Sequence, residues 1–391
     1  MNKEKVLIVH NYYQVSGGED TVLLNEKKML EDNGHEVILY SRSNLELKKI
    51  SKLQKLCLPL ITVFSMRTYR EVKRIIKENK IDIVHVHNTL ILISPSVYYA
   101  AFSCKVPVIQ TIHNFRLLCP GATFYRNGAI CEDCISKGLK CAIRQKCYRG
   151  SLIQTLACVV MLILHRLFGT YKKLNYICLT EFNMKKIMKL NSSGKKRIDE
   201  SRIFIKPNFV NIEREVIPYK FRKNQFVFVG RLDKLKGIDL LLKAWKEIKN
   251  SDLIICGMGP EDKNCRKFIN ENHMTNVKMM GFVSNNQAMD IISESKALIL
   301  PTQWYEGFPM TIVESLACGT PVIGSDIGNL GDIIKDRING LKFKSNSIKN
   351  LRESISIFED MVVSTRNDYE VNYKSQDNYK KLIGIYRNVL E

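Results

Sequence analysis

Two glutamates eight residues apart bracket the stretch of this chain best suited to chemistry. Glu306 stands in Tyr305-Glu306-Gly307-Phe308-Pro309, and Glu314 lies about two turns into the apolar helical run 310–318 that follows. A helix-borne carboxylate accepts hydrogen bonds from the paired hydroxyls of a ribose. The amides of Gly307 and Phe308 fall near a helix N-terminus, where backbone N–H groups face sugar hydroxyls or phosphate. A helix with a solvated glutamate at each end is the bland alternative. It gives no reason for the Gly-Phe-Pro insertion or for the turn Gly319-Thr320-Pro321 beyond the helix.

Upstream, the apolar run 226–229 opens into Gly230-Arg231-Leu232-Asp233-Lys234-Leu235-Lys236-Gly237. Gly230 permits a close turn. Arg231 and Lys236 then place two cations beside a helix start, a site suited to a diphosphate. The next run, 253–256, ends in Gly257-Met258-Gly259-Pro260, where two glycines allow a ligand near the backbone. A dinucleotide fingerprint would need a third glycine at 262, which is Asp262, so the pattern argues against an oxidoreductase.

The first half holds a second set. The loop Gln14-Val15-Ser16-Gly17-Gly18-Glu19 puts Gly17 and Gly18 at a strand-to-helix junction, where the backbone can approach an anion or simply turn. His113 ends another apolar run. His85 and His87 alternate on one face of the run 81–88 and read best as satisfied structural histidines. Cys119, Cys131, Cys134, Cys141 and Cys147 fall within 29 residues, with Cys131 and Cys134 in a C-x2-C knuckle. Cys119, the knuckle and either Cys141 or Cys147 would make a tetrahedral zinc site. The segment shows no regular apolar pattern, so a metal is expected to supply its order. Reduced, unliganded thiols or an iron–sulfur cluster are the alternatives.

The elements that must position these residues are short Val/Ile-rich runs alternating with helical patterns. Six fall at 6–10, 36–41, 81–88, 107–114, 176–180 and 203–208; six more fall at 225–231, 253–257, 277–283, 297–301, 321–325 and 340–343. Continuous apolar strands separated by helices indicate parallel sheets covered on both faces. Two series indicate two Rossmann-like domains, whose ligands bind beyond the carboxyl ends of the strands. The expected domains are 1–207, with the cysteine-rich insert 119–147, and 208–372. A helix over 373–391 follows and is expected to pack back on the first domain.

With 391 residues, 45% hydrophobic and 25% charged, the chain is globular in composition. Of its formal net charge of +21, residues 1–210 carry +18. Such a half is drawn to phospholipid headgroups, a phosphate-bearing acceptor or nucleic acid, unless its lysines are merely solvated. The opening run is too short for a secretory signal, and the apolar stretch 152–164 is too short to span a bilayer. A cytoplasmic protein with reduced cysteines is expected. The helical patterns 152–168 and 48–74 mix apolar and basic residues and suit either an anionic membrane surface or a core with basic solvent faces.

Gly230-Arg231-Leu232…Lys236-Gly237 with Glu306-Gly307-Phe308-Pro309…Glu314 resembles the retaining glycosyltransferases of family four (group 1), with the GT-B fold. That fold is α/β, two Rossmann-like domains with parallel sheets facing a central cleft. The resemblance implies that Arg231 and Lys236 bind the donor diphosphate, that Glu314 binds the ribose and that Glu306 lies beside the transferred sugar. It also implies that Gly17 and Gly18 face the donor and that His113 lies near sugar and acceptor. A subset of the family is similar in its insert: Leu118-Cys119-Pro120, a C-x2-C, then Cys147-Tyr148-Arg149-Gly150-Ser151. This favours Cys119, Cys131, Cys134 and Cys147 as ligands of a structural zinc. No Asp-x-Asp motif occurs, so no catalytic metal or other cofactor is implied. The expected reaction moves a hexosyl group from a nucleotide-diphosphate sugar to a lipid-linked or polysaccharide acceptor in capsule or O-antigen synthesis. It takes place in the cytoplasm, at the inner face of the plasma membrane, with no nucleic-acid partner. A basic zinc-containing nucleic-acid-binding protein suits the charge and the cysteines but leaves Glu306 and Glu314 unexplained. A sugar-nucleotide epimerase would share the fold.

Overall fold

The computed structural model describes residues 3–15, 17–192 and 194–391, so Ser16 of the glycine loop lies outside the described residues. The chain divides into two compact units. One comprises Met1–Arg126, Cys131–Pro207 and Asn378–Glu391; the other comprises Asn127–Ile130 and Asn208–Asp377.

Chain order in the first half runs β1 (Lys5–Tyr12), β2 (Glu36–Ser43), β3 (Ile83–Asn88), β4 (Val108–Ile112), a short pair β5 (Tyr125–Arg126) and β6 (Ala129–Ile130), then β7 (Asn175–Cys178) and β8 (Ile203–Ile205). The first unit's sheet has the order β2-β1-β3-β4-β7-β8, with every pairing parallel. Val6, Leu7, Ile8 and Val9 of β1 are fully buried. The run is apolar without alternation because helices cover both faces, and each such side chain contributes about 2 kcal/mol of burial.

The second unit repeats the plan with β9 (Gln225–Val229), β10 (Asp252–Cys256), β11 (Val277–Gly281), β12 (Ala297–Leu300), β13 (Val322–Ser325) and β14 (Gly340–Phe343). Their order is β11-β10-β9-β12-β13-β14, again parallel throughout. Strand order reverses between β1 and β3 in the first sheet and between β9 and β12 in the second. At such a point neighbouring crossovers diverge to opposite faces and leave a crevice at the strands' carboxyl ends.

All twelve expected runs are strands, with ends that differ for local reasons. Thr180 is not in β7: its hydroxyl accepts Asn183 N–H at 3.1 Å and caps the helix Glu181–Ile187. β4 stops at Ile112, which leaves His113 and Asn114 in the following loop. The basic stretch 48–74 breaks at Phe64-Ser65 into the helices Lys52–Val63 and Met66–Asn79. Tyr373 does not begin the last helix, which runs Ser375–Leu390; it caps the helix Val362–Asn372. From the last helix, Tyr386 hydrogen-bonds His85 within the first unit.

The cysteine segment has more apolar order than its pattern suggests. Phe124 is fully buried, Ala142 and Tyr148 are buried, and the Phe115 and Phe124 rings lie 5.3 Å apart. The residues are spaced irregularly because they come from turns and two short helices, Asp133–Ser136 and Lys140–Arg144.

Candidate active site

In the second unit the suggestive residues gather at the carboxyl ends of β9 and β12, the strands flanking the reversal. Gly257 has φ +136°, and a Cβ there would sit 1.9 Å from Gly230 O; at Gly259 it would sit 2.2 Å from Leu232 O. These two glycines let the turn after β10 lie against the turn after β9. Gly230 N–H and Leu232 N–H then donate to Cys256 O and Met258 O, both at 3.0 Å. The contact accounts for Gly257 and Gly259 by packing alone. It also aims the segment Gly230–Lys236.

On that segment Asp233 organises both cations. Its carboxylate accepts Arg231 Nε–H at 2.6 Å and Lys236 N–H at 3.0 Å, capping the short turn Lys234–Lys236. The Arg231 side chain keeps 61% of its surface exposed, with donor capacity left for a ligand. Lys236 Nζ reaches the Glu306 carboxylate at 2.6 Å. The other Glu306 oxygen accepts the Thr302 hydroxyl at 2.6 Å. Asn329, fully buried, donates its side-chain amide to Glu306 O and Gly307 O and so holds the loop between the glutamates. Phe308 turns inward, its ring 6.4 Å from that of Tyr373, which leaves its backbone rather than its ring for a ligand. Glu314 is buried on the helix Met310–Ala317, and burial pushes its carboxyl above the usual range. Hydroxyl donors would stabilise its charged form.

Sequence reasoning missed Asp233, Thr302 and Asn329, whose partners are distant in the chain or unpredictable from type. Asp233 alone left a signal, as an N-cap residue three positions before Lys236.

The first unit places its own set at the ends of β1, β3 and β4. Gly17 caps the helix Gly18–Asp32 in an extended conformation open to any residue, and a Cβ there would meet nothing within 4 Å. The fold itself therefore gives no reason for glycine at 17. Asp20 accepts Gly17 N–H at 3.1 Å and meets His10 Nε2 at 2.8 Å. Burial, then repulsion from Asp20, pushes the Glu19 carboxyl up to about 8. Glu19 also accepts the Asn88 side-chain amide at 3.3 Å.

His113 Nε2 lies 2.9 Å from His87 Nδ1. His87 Nε2 approaches Glu26 at 3.2 Å, off the hydrogen-bond axis, and Glu26 pairs with the fully buried Lys206. Burial pushes Glu26 up, but Lys206 and then the histidines outweigh it and hold the carboxyl well below its usual range. Burial, then His87, keeps His113 neutral by lowering it well below its usual range. His85 bonds Tyr386 at 2.8 Å and Thr111 at 2.7 Å, with burial lowering it to about 3. His85 is thus a satisfied structural histidine, whereas His87 joins a chain that ends at His113. A small cavity of about 50 Å³ borders His87, Asn88, His113 and Arg116.

Among the described residues, two groups bring metal-ligating atoms within 4.8 Å of one another: Glu26, His85 and His87; and His10, Glu19 and Asp20. In the first, the Lys206 ammonium already occupies the carboxylate and both His85 nitrogens are bonded. In the second, His10 and Asp20 satisfy each other.

Two Rossmann-like units, with cations and a carboxylate pair at the reversal of the second sheet, define a GT-B architecture. Residues 210–376 match the family model "Glycosyl transferases group 1", and residues 16–129 match "Glycosyltransferase Family 4". Together the two matches and the fold support a GT-B glycosyltransferase. An uncharacterised glycosyltransferase of Methanocaldococcus jannaschii is 31% identical over 176 residues, 44% of this chain and 49% of that protein, so the match spans about half that relative's length. The Escherichia coli UDP-Gal:alpha-D-GlcNAc-diphosphoundecaprenol alpha-1,3-galactosyltransferase is 24% identical, with 84% of this chain and 77% of that protein covered. A solved Rickettsia africae glycosyltransferase shares the fold across the full length of both chains (TM-score 0.69, 19% identity). So does the Anabaena protein HepE in complex with UDP (TM-score 0.64, 13% identity, 98% of this chain and 100% of that chain). Among the described residues no helix is long and apolar enough to cross a membrane.

Proposed function

We propose that this protein is a retaining glycosyltransferase that moves a hexosyl group from a nucleotide-diphosphate sugar to a lipid-linked or polysaccharide acceptor in cell-envelope glycan synthesis. The observation that carries the reading is the Arg231–Asp233 and Lys236–Glu306 arrangement at the ends of β9 and β12, with Glu314 buried on the next helix. In this reading Arg231 and Lys236 hold the diphosphate, Glu314 accepts the ribose hydroxyls and Glu306 lies beside the sugar. Gly230 and the amides of Gly307 and Phe308 complete the donor site. As the sugar–phosphate bond breaks, negative charge develops on the leaving oxygen, and the two cations stabilise it. That oxygen takes the acceptor proton on the same face, so configuration is retained without a nucleophilic carboxylate. In this reading Gly17 and Gly18 of the first unit also serve the donor, and His113 of that unit meets the acceptor as a neutral imidazole. The UDP complex of HepE and the diphosphoundecaprenol acceptor of the E. coli relative support this choice of donor and acceptor classes.

Membrane association belongs to the same reading. The helices Lys52–Val63 and Leu152–Leu167 pack together. They expose Leu56, Leu60, Leu152, Ile153, Leu156, Val160, Ile163 and Leu167 on a unit rich in Lys and Arg. An apolar strip in a cationic surround suits an anionic bilayer that presents a lipid-linked acceptor.

The test is a thermal-shift screen against UDP, GDP, ADP and their sugars, with Arg231→Ala as control. A saturable rise with one nucleotide, absent in the variant, supports the donor site and names the base. A folded protein that responds to none overturns it.

A further inference from the structure

Beyond the transfer reaction, and independently of it, we infer that Cys119, Cys131, Cys134 and Cys147 form a structural zinc site. Five thiols from three separate stretches line one pocket of about 190 Å³: Cys119 after the β4 loop, Cys131 and Cys134 around the start of the helix Asp133–Ser136, and Cys141 and Cys147 within and after the helix Lys140–Arg144. None is in a disulfide. Their sulfurs surround the pocket more widely than the 4.8 Å groupings described above, so zinc would draw them inward to the roughly 2.3 Å of a Zn–S bond.

The turn at Gly121 and the C-x2-C knuckle choose four ligands of the five. A Cβ at Gly121 would lie 3.8 Å from Cys119 Sγ, 3.7 Å from Cys147 Cβ and 3.2 Å from Cys147 O. The Cys119 and Cys147 arms therefore converge on a position that carries no side chain. Cys131 and Cys134, the two thiols of the C-x2-C knuckle, line the same pocket. Cys141 belongs to neither the Gly121 turn nor the knuckle.

The surroundings suit a zinc–tetrathiolate centre, which carries two negative charges. Arg126 and Lys146 line the pocket and bring two positive charges to the thiols. Arg126 also pairs with Asp133 at 2.9 Å, inside the C-x2-C knuckle. The site connects to the end of β4 through Arg116, two residues past Asn114. Arg116 donates to Pro120 O at 3.1 Å and lies over the Tyr148 ring at 5.2 Å. Zinc would therefore fix the turns next to the His113 loop and leave the chemistry to other groups.

The test begins with full-length protein purified without chelator or polyhistidine tag. Elemental analysis should find one zinc per chain, released in full when a mercurial reagent titrates the thiols. After exchange with cobalt(II), the protein should show thiolate-to-cobalt charge-transfer absorption and the visible bands of a tetrahedral centre. Cys141→Ser should keep that spectrum and the zinc; Cys147→Ser and Cys131→Ser should lose both. Because loss of zinc can itself unfold a variant, the mercurial titration of the unaltered protein stands as the independent readout. Background zinc in the folded protein, iron with sulfide in its place, or a disulfide among these cysteines overturns the proposal. Retention of zinc by Cys147→Ser with loss by Cys141→Ser overturns the choice of ligands.

Discussion

Lys236 and Glu306, seventy residues apart in sequence, meet at 2.6 Å, joining the turn after β9 to the loop after β12. Glu306 is buried while Lys236 keeps about a quarter of its side chain exposed, so the ammonium is the end of the pair that a ligand reaches. In the proposed donor site an entering diphosphate would find Lys236 already held in place, and its binding would loosen the hold of Lys236 on Glu306.

Lys236→Met should therefore reduce kcat/KM by about 10²- to 10³-fold, the usual cost of removing one donor to a developing oxyanion. Steady-state transfer from the donor named by the nucleotide screen measures it. A loss below tenfold would remove Lys236 from the leaving-group site.

Arg231 is held by Asp233. Asp233→Asn should keep the fold yet weaken nucleotide binding by about tenfold, because an aimed guanidinium loses less freedom on binding than a free one. Isothermal titration with the nucleoside diphosphate reads this out. Unchanged affinity would make Asp233 only a helix cap.

Glu26 and Lys206 are a fully buried pair. Removing one partner strands a charge, so Glu26→Gln should cost about 3–5 kcal/mol in urea unfolding, and Glu26→Gln with Lys206→Met should recover much of it. The Glu26 carboxyl lies well below its usual value. Its contribution is thus complete above the unfolded value near 4.5 and is lost as pH falls toward the folded one. A double variant no more stable than the single one would show that the pair is not coupled.

Glu19 is displaced the other way, up to about 8. The folded state holds its proton more tightly than the unfolded chain, so stability falls as pH rises from about 4.5 to 8. Glu19→Gln should melt higher than the parent at pH 8.5, with the difference vanishing at pH 4. A difference independent of pH would assign the effect to packing.

His87→Ala should lower transfer while leaving nucleotide binding intact, since His87 contacts His113 in the first unit, whereas Arg231 and Lys236 belong to the second. A pH–rate profile altered together with kcat would mark His87 as positioning His113. An unchanged kcat would return it to the structural role that its sequence pattern suggested.

Local chemistry was enough to find the strands and to single out the principal candidate residues. Apolar runs such as 6–9 are buried on both faces because the side chains alone dictate it, and Arg231, Lys236, Glu306 and Glu314 stand out by type and spacing. Gly257 and Gly259 were also visible, but their packing purpose was not, since Gly230 O and Leu232 O approach them only once β9 and β10 pair.

The partners were decided by tertiary structure. Nothing in the order of residues shows that Lys236 reaches Glu306, that Asn329 holds the loop between the glutamates, or that Lys206 reaches Glu26. Each contact is made across a parallel sheet whose neighbouring strands are joined by long crossovers. The same holds for the cysteines. Their number and knuckle are in the sequence, whereas the turn at Gly121 that brings Cys119 toward Cys147 exists only in the folded chain. Burial and charge pairing are properties of assembled neighbours. For that reason the residue types announced which chemistry was available, and the fold determined which groups share it.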